Sequence, residues 1–201
     1  YLANAHRLDF ETSGVLLLPR NKPAHDELAN QFGSEKPAKT YVALAQGTPA
    51  EDAFEVNERI GPHPARPGTM RVDPRAGKRA LPRFQVLARC RDCALLQCQP
   101  QTGRTHQIRV HLRHRRLPLV GDALYGGKPL LLSRLKPDYR FKQNQEERPL
   151  LGRVALHAES LTVRHPTSDE PLTIRAPWPK DLTVAVKYLR KFALPAGPSP
   201  H

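Results

Sequence analysis

The chain has 201 residues, 39% of them hydrophobic, with 32 Lys and Arg against 19 Asp and Glu and a formal net charge of +13. That length suits one domain with a substantial core, and positive charge spread through folded-looking segments favours a polyanionic partner, nucleic acid ahead of an anionic membrane surface. The longest apolar runs are about a strand in length, far below the ~20 residues that cross a bilayer; three cysteines and no basic-then-apolar leader point to a reducing cytoplasm instead of an export route.

From the front, His6-Arg7-Leu8-Asp9-Phe10-Glu11-Thr12-Ser13-Gly14 precedes the apolar Val15-Leu16-Leu17-Leu18, so a carboxylate stands in a polar loop just ahead of a buried strand over 15–18. Pro19 closes that strand. Asn21 caps a helix over 22–32, whose early Pro23 is tolerated in the first turn and whose stop is Gly33. Residues 39–44 alternate and are rich in strand formers. Prolines 62, 64, 67 and 74 with glycines 61, 68 and 77 make 60–77 a basic surface loop around a short strand over 69–72. Strands over 83–90 and 94–99 meet across Arg91-Asp92, the pattern of a tight hairpin. Ile108 and Leu112 lie one helical turn apart on a helix ending near Arg115, with Arg109, His111 and Arg113 as its basic outer face. Residues 127–151 read as an insertion or mobile loop with no regular element. A second hairpin joins 161–165 to 172–176. A last helix over 180–192 places Leu182, Ala185, Val186, Leu189 and Phe192 on one stripe, and 195–201 reads as a frayed end. The expectation is a single α+β domain over 1–201: a mixed, mainly antiparallel sheet flanked by helices.

A second run, Thr102-Gly103-Arg104-Thr105-His106-Gln107-Ile108-Arg109-Val110-His111-Leu112, ends a strand and opens a helix, where backbone N–H groups point outward. An acid and a guanidinium on separate loops suggest an assembled site. The first run resembles the H-R-L-D-x-x-T-S-G signature of the RluA-like family of RNA pseudouridine synthases, and the second resembles that family's G-R-T-H-Q-I-R-V-H segment. Gly121-Asp122-Ala123-Leu124-Tyr125-Gly126 is similar to its G-D-x-L-Y-G, Leu156-His157-Ala158 to its L-H-A, and His165-Pro166 with Ala176-Pro177 to its closing hairpin. Several ordered motifs spanning 6 to about 182 are far more specific than one short pattern.

The resemblance implies the pseudouridine synthase catalytic fold and isomerisation of a uridine within ribosomal or transfer RNA: the glycosidic C–N bond breaks, the base turns and C5 joins the sugar, with no cofactor. The residues themselves show no Walker loop, dinucleotide fingerprint or paired-carboxylate metal motif. By resemblance Asp9 is the essential aspartate, acting as nucleophile or as base at the sugar. It must be ionised, and Arg104 matches the arginine that would favour that state. Read without the motif, Asp9 caps a turn and Arg104 pairs with it. Tyr41, in Lys39-Thr40-Tyr41-Val42-Ala43, matches a tyrosine that stacks on the target uracil and is placed to help remove the C5 proton; a strand tyrosine alone is as readily a core residue. Extruding a base costs a few kcal/mol, and Arg7 matches an arginine resembling a wedge in the vacated position, its plainer role being a phosphate contact.

No metal is expected: His106, His111 and His114 form no H-E-x-x-H, and the Cys90-Cys93 pair lacks a second pair. The expected site is therefore catalytic Asp9, Tyr41 and Arg104 with Arg7 binding substrate; Arg109, Arg113, Arg115 and Arg116 either line the RNA path or, as such a charge run usually does, form a solvated face, and are left outside it. Family members carry further residues ahead of the aspartate motif, so the expectation is a catalytic domain short of its N-terminal portion. Its rival is an RNA-binding protein of the same fold without turnover. A hydrolase using Asp9 and His6 is weakened by the missing metal ligands.

Overall fold

A computed structural model describes residues 1, 3–34, 37–136, 138–139 and 146–193; the end segment 195–201 lies outside them. The elements are β1 (Ser13–Gly14), α1 (Lys22–Gly33), β2 (Ala38–Gln46), β3 (Ala53–Glu55), β4 (Ile60–Pro62), β5 (Met70–Val72), β6 (Pro82–Cys90), β7 (Cys93–Pro100), α2 (Gln107–His114), a 3-10 turn (Ala123–Tyr125), α3 (Leu132–Leu135), β8 (Leu156–Arg164), β9 (Pro171–Arg175) and α4 (Lys180–Phe192). One sheet runs β1-β8-β2-β7-β6-β3 with β9 also on β8, and β4-β5 form a small second sheet. The β1–β8 pairing is parallel and the others are antiparallel, so the mixed, mainly antiparallel sheet flanked by helices stands as expected.

Alternation along the central strands divides the interior. Val42 and Leu44 join Leu95 and the α4 stripe of Leu182, Ala185, Val186 and Leu189 on one face. Ala43, Ala45, Leu96 and Cys98 join Ile108 and Leu112 of α2 on the other. Helix α1 begins where the cap was read: Asn21 Oδ1 accepts from the Ala24 N–H at 2.9 Å, and its Leu28 packs with Val15, Leu161 and Val163. The β6–β7 hairpin turns at Arg91-Asp92 with Asp92 at φ 60°, and Cys90 lies opposite Cys93.

Three local readings are corrected. The apolar run 15–18 is not itself a strand: Ser13 and Gly14 pair with His157 and Ala158, Val15 adds one bond to the Ala158 carbonyl at 2.9 Å, and the rest of that edge of β8 is taken by β9. Strands β3 and β4 appear where no strand was read; β4 manages a Gly and a Pro because it is three residues long, its ladder being with β5 and its first residue, Ile60, also bridging Lys78. Within 127–151, the short helix α3 forms, and Leu130, Leu135 and Leu151 enter the α4 side of the core; residues 137 and 140–145 of that range lie outside those described.

Candidate active site

On the α2 face, the loop before β1, the start of β2 and the segment after β7 enclose a cleft of about 250 Å³ lined by Arg7, Asp9, Tyr41 and Arg104, with His6 and Lys39 beside them. Small-molecule pockets run ~300–1,000 Å³, so the space suits something the size of one nucleobase. All four residues singled out in the sequence thus reach one cavity.

The loop bearing Asp9 is tied at several points. The Asp9 carbonyl accepts from the Thr12 N–H at 2.9 Å, closing a turn. His157 Nε2 donates to the Ala176 carbonyl at 3.2 Å, which leaves Nδ1 to accept from the Ser13 hydroxyl at 2.9 Å. Gly14 has φ +122°, and a Cβ there would run into the Ala158 carbonyl, so only glycine permits so close a strand pairing. The T-S-G sequence is a docking device for the carboxylate loop.

The Asp9 side chain is 18% exposed, and Arg109 Nη1 lies 3.7 Å from its Oδ2. Arg109 in turn donates from Nε and Nη2 to Asp122 Oδ2 and Oδ1 at 2.7 and 2.8 Å, and its guanidinium stands 5.0 Å from the centre of the Tyr125 ring. Burial works against the guanidinium charge, but Asp122 and then Asp9 more than offset it, holding Arg109 more firmly protonated than usual. The outer-face reading of α2 is therefore corrected. Arg109 and His111 are 4% and 0% exposed, because β4 and β5 cover that side of the helix: Val110 packs with Ile60, Ala80 and Tyr125, and His111 Nε2 donates to the Glu58 carbonyl at 3.0 Å. Arg113, Arg115 and Arg116 are exposed as read. The signal available in the sequence was the Asp of the Gly121-Asp122 motif, an acid with no cation yet assigned to it.

Arg104 lines the same cleft. Its Nε donates to the Arg79 carbonyl at 3.0 Å and its N–H to Gln107 Oε1 at 3.0 Å; that oxygen also accepts from the Thr102 hydroxyl at 2.7 Å, bracing the turn that presents Arg104. Tyr41 sits at a β-bulge: the register steps from Thr40 opposite Ser160 to Tyr41 opposite Ala158, leaving Glu159 extra on β8. Bulges re-aim side chains in this way. Burial, the Asp9 charge and Cys98 push the Tyr41 phenol up to about 12, so near neutral pH it can stack or donate a hydrogen bond but is not a phenolate. Arg7 is exposed at the mouth.

Two histidines close by are kept neutral. His6 stacks on Phe32 with centroids 4.6 Å apart, and burial, then Lys39, lower its pKa. His106 opens α2 at φ 54°; the Tyr125 hydroxyl accepts from the Met70 N–H at 2.9 Å and meets His106 Nδ1 at 2.8 Å. Burial lowers the His106 pKa despite the opposing pull of Asp9. Among the described residues no three His, Cys, Asp or Glu side chains are grouped to hold a metal, and no helix is long and apolar enough to cross a membrane. The thiols of Cys90, Cys93 and Cys98 are buried, and burial pushes Cys93 up to about 12.

The fold and site thus amount to a mixed sheet that presents an aspartate in a cleft rich in basic side chains, with a buried arginine 3.7 Å from that aspartate. The model of the RNA pseudouridylate synthase family matches residues 1–114. The uncharacterized RNA pseudouridine synthase YlyB of Bacillus subtilis is 35% identical over 186 residues, which cover 92% of this chain and 55% of that protein. Ribosomal large subunit pseudouridine synthase D of Xylella fastidiosa is 38% identical over 186 residues, 92% of this chain and 54% of the relative. The solved structure of human RNA pseudouridylate synthase domain containing 1 superposes with a TM-score of 0.71 at 28% identity, covering 98% of this chain and 83% of that one. The chain belongs to the RNA pseudouridylate synthase family, on its RluA-like branch, and spans about half the length of the curated relatives it matches.

Proposed function

We propose that this domain isomerises specific uridines in RNA to pseudouridine, with ribosomal RNA as the first candidate substrate. The observation that carries this reading is the convergence of Arg7, Asp9, Tyr41 and Arg104 on one base-sized cleft, with Asp9 paired to the buried Arg109. The names of the relatives, several of them ribosomal large subunit enzymes, support the substrate class.

A uridine leaves its stack to enter the cleft, at a cost of a few kcal/mol met by contacts to the extruded nucleotide. Arg7, at the mouth, fills the gap left in the RNA. Tyr41 stacks on the uracil as a neutral phenol, and Arg104, which lines the same cleft, brings positive charge to the nucleotide. Ionised Asp9 opens the glycosidic bond, as nucleophile or as base at the sugar. The base then turns, C5 bonds to the sugar carbon, the C5 proton is released to solvent, and N1, freed from the sugar, takes up a proton in its place. Atoms balance without any added reactant, and a cytoplasmic setting goes with the reading.

Tritium release from RNA labelled at uridine C5 is the test. Release by the wild type and none by Asp9→Asn is expected. Equal release by both would remove Asp9 from the mechanism, while RNA binding with no release by the wild type would favour the binding-only alternative. Mapping pseudouridines in cells with and without the gene then identifies the position.

A further inference from the structure

Arg153, just ahead of β8, belongs to none of the motifs quoted above, yet its side chain reaches the Asp9 turn and its backbone passes close beside Gly121, the residue before Asp122. Its Nε and Nη2 donate to Asp181 Oδ2 and Oδ1 at 2.8 and 3.0 Å. Asp181 lies in the first turn of α4 and also accepts from the Leu182 N–H at 2.7 Å. The remaining arm, Nη1, faces three carbonyl oxygens: Val154 at 3.1 Å, Leu156 at 3.2 Å and Glu11 at 3.4 Å. Glu11 belongs to the turn that Thr12 closes on Asp9, and Leu156 lines the cleft. The backbone of Arg153 bears on the other anchor. Gly121 has φ +76°, and a Cβ there would collide with the Arg153 carbonyl; the next residue is Asp122, which grips Arg109.

We infer that Arg153 is a positioning residue that sets the distance between the Asp9 turn and the Asp122 turn, so that Arg109 fits between them, with Asp181 locking the guanidinium to α4. The inference rests on the reading that Asp9 does the chemistry. The role needs a planar fork: two N–H groups in line with a carboxylate while a third nitrogen faces carbonyl oxygens. Lysine supplies the charge but one donor centre, so it satisfies one end and releases the other. The Arg153 and Asp181 side chains are 20% and 35% exposed, and Asp181 is held below the usual carboxylate range: burial opposes this, and the Arg153 bonds and the Leu182 N–H outweigh it. The pair is thus formed throughout the neutral range.

Three variants test this: Arg153→Met, Arg153→Lys and Asp181→Asn, the last keeping the arginine in case the others fold poorly. Amide hydrogen exchange reads the clamp without any need for turnover. The Thr12 and Val15 amides should exchange ~10-fold faster in the variants while the β2 and β7 amides keep their rates, since sub-global openings exchange independently of the core. For tritium release from C5-labelled total RNA of cells lacking the gene, kcat should fall ~10–100-fold with KM nearly unchanged, as a misplacement of about 1 Å does; Asp181→Asn should show the smaller loss, and Arg153→Lys should not rescue. Unchanged exchange at Thr12 and Val15, uniform acceleration at every amide, or full kcat in Arg153→Lys would each overturn the inference. A wild type that releases no tritium would instead defeat the functional reading, and the exchange data would still decide the clamp.

Discussion

Arg109 lies between two carboxylates whose surroundings differ. Asp122 is 1% exposed on its side chain and takes two hydrogen bonds under 3 Å from the guanidinium fork. Asp9 is 18% exposed, stands 3.7 Å from the remaining nitrogen, and opens on the cleft. The inner acid is spent on holding the arginine, because a buried guanidinium without a bidentate partner is strongly unfavourable. The outer acid receives the same positive charge at longer range and keeps its oxygens reachable by a ligand. One cation thereby separates a structural carboxylate from the one on which the chemistry is proposed to turn.

Exchanging each acid for its amide should pull these roles apart. Asp9→Asn should cut tritium release by ~10³-fold or more, in the range seen when a central catalytic group is removed. The same change should alter unfolding free energy by less than about 1 kcal/mol, because a longer, part-exposed ion pair contributes little. Asp122→Asn should do the reverse in stability, costing ~3–5 kcal/mol by leaving a buried charge short of its partner, measured by urea unfolding. Release should fall too, since Arg109 is no longer held. Should Asp122→Asn unfold at the wild-type midpoint, the assignment of the inner acid as the structural one fails.

Protonation offers a milder way to disturb the same region. His6, His106 and His111 are all lowered from 6.5, burial being the first cause in each. A histidine whose folded pKa lies below its unfolded value adds stability that is complete above 6.5 and drains away as pH falls toward the folded value. The melting temperature should therefore hold between pH 7 and 8 and decline below 6.5, more gently in His111→Gln than in the wild type. A flat profile down to pH 5 would contradict the burial of these rings. The smallest effect belongs to the outer side of the Asp9 turn. Phe10 is fully exposed, at 101% of its reference area, so Phe10→Ala should change thermal stability by less than ~0.5 kcal/mol.

Much of this was legible in the residues, for identifiable reasons. Helix α1 announced itself through Asn21, Pro23 and Gly33, helix α4 through its stripe, and the β6–β7 hairpin through alternation around Arg91-Asp92; each signal acts within a few residues of the element it shapes. Strands β3 and β4 escaped because three residues carry no period, and α3 because a four-residue turn is held by Leu130, Leu135 and Leu151 entering a distant core. Asp9 and Tyr41 could be picked from motifs. Arg109 was misplaced for a physical reason: helical periodicity identifies one apolar face, whereas α2 is covered on two, by the large sheet and by the β4–β5 pair.

Residue order alone thus specifies the longer elements, the family resemblance and the acid on which the chemistry is proposed to turn, because caps, turns and alternation are short-range effects. Which arginine meets that acid, and what holds the two apart, is settled by packing between segments far apart in the chain. Arg109 finds Asp9 and Asp122 only once α2 is sealed beneath β4 and β5, and Arg153 reaches Glu11 only once β8 has docked beside β1.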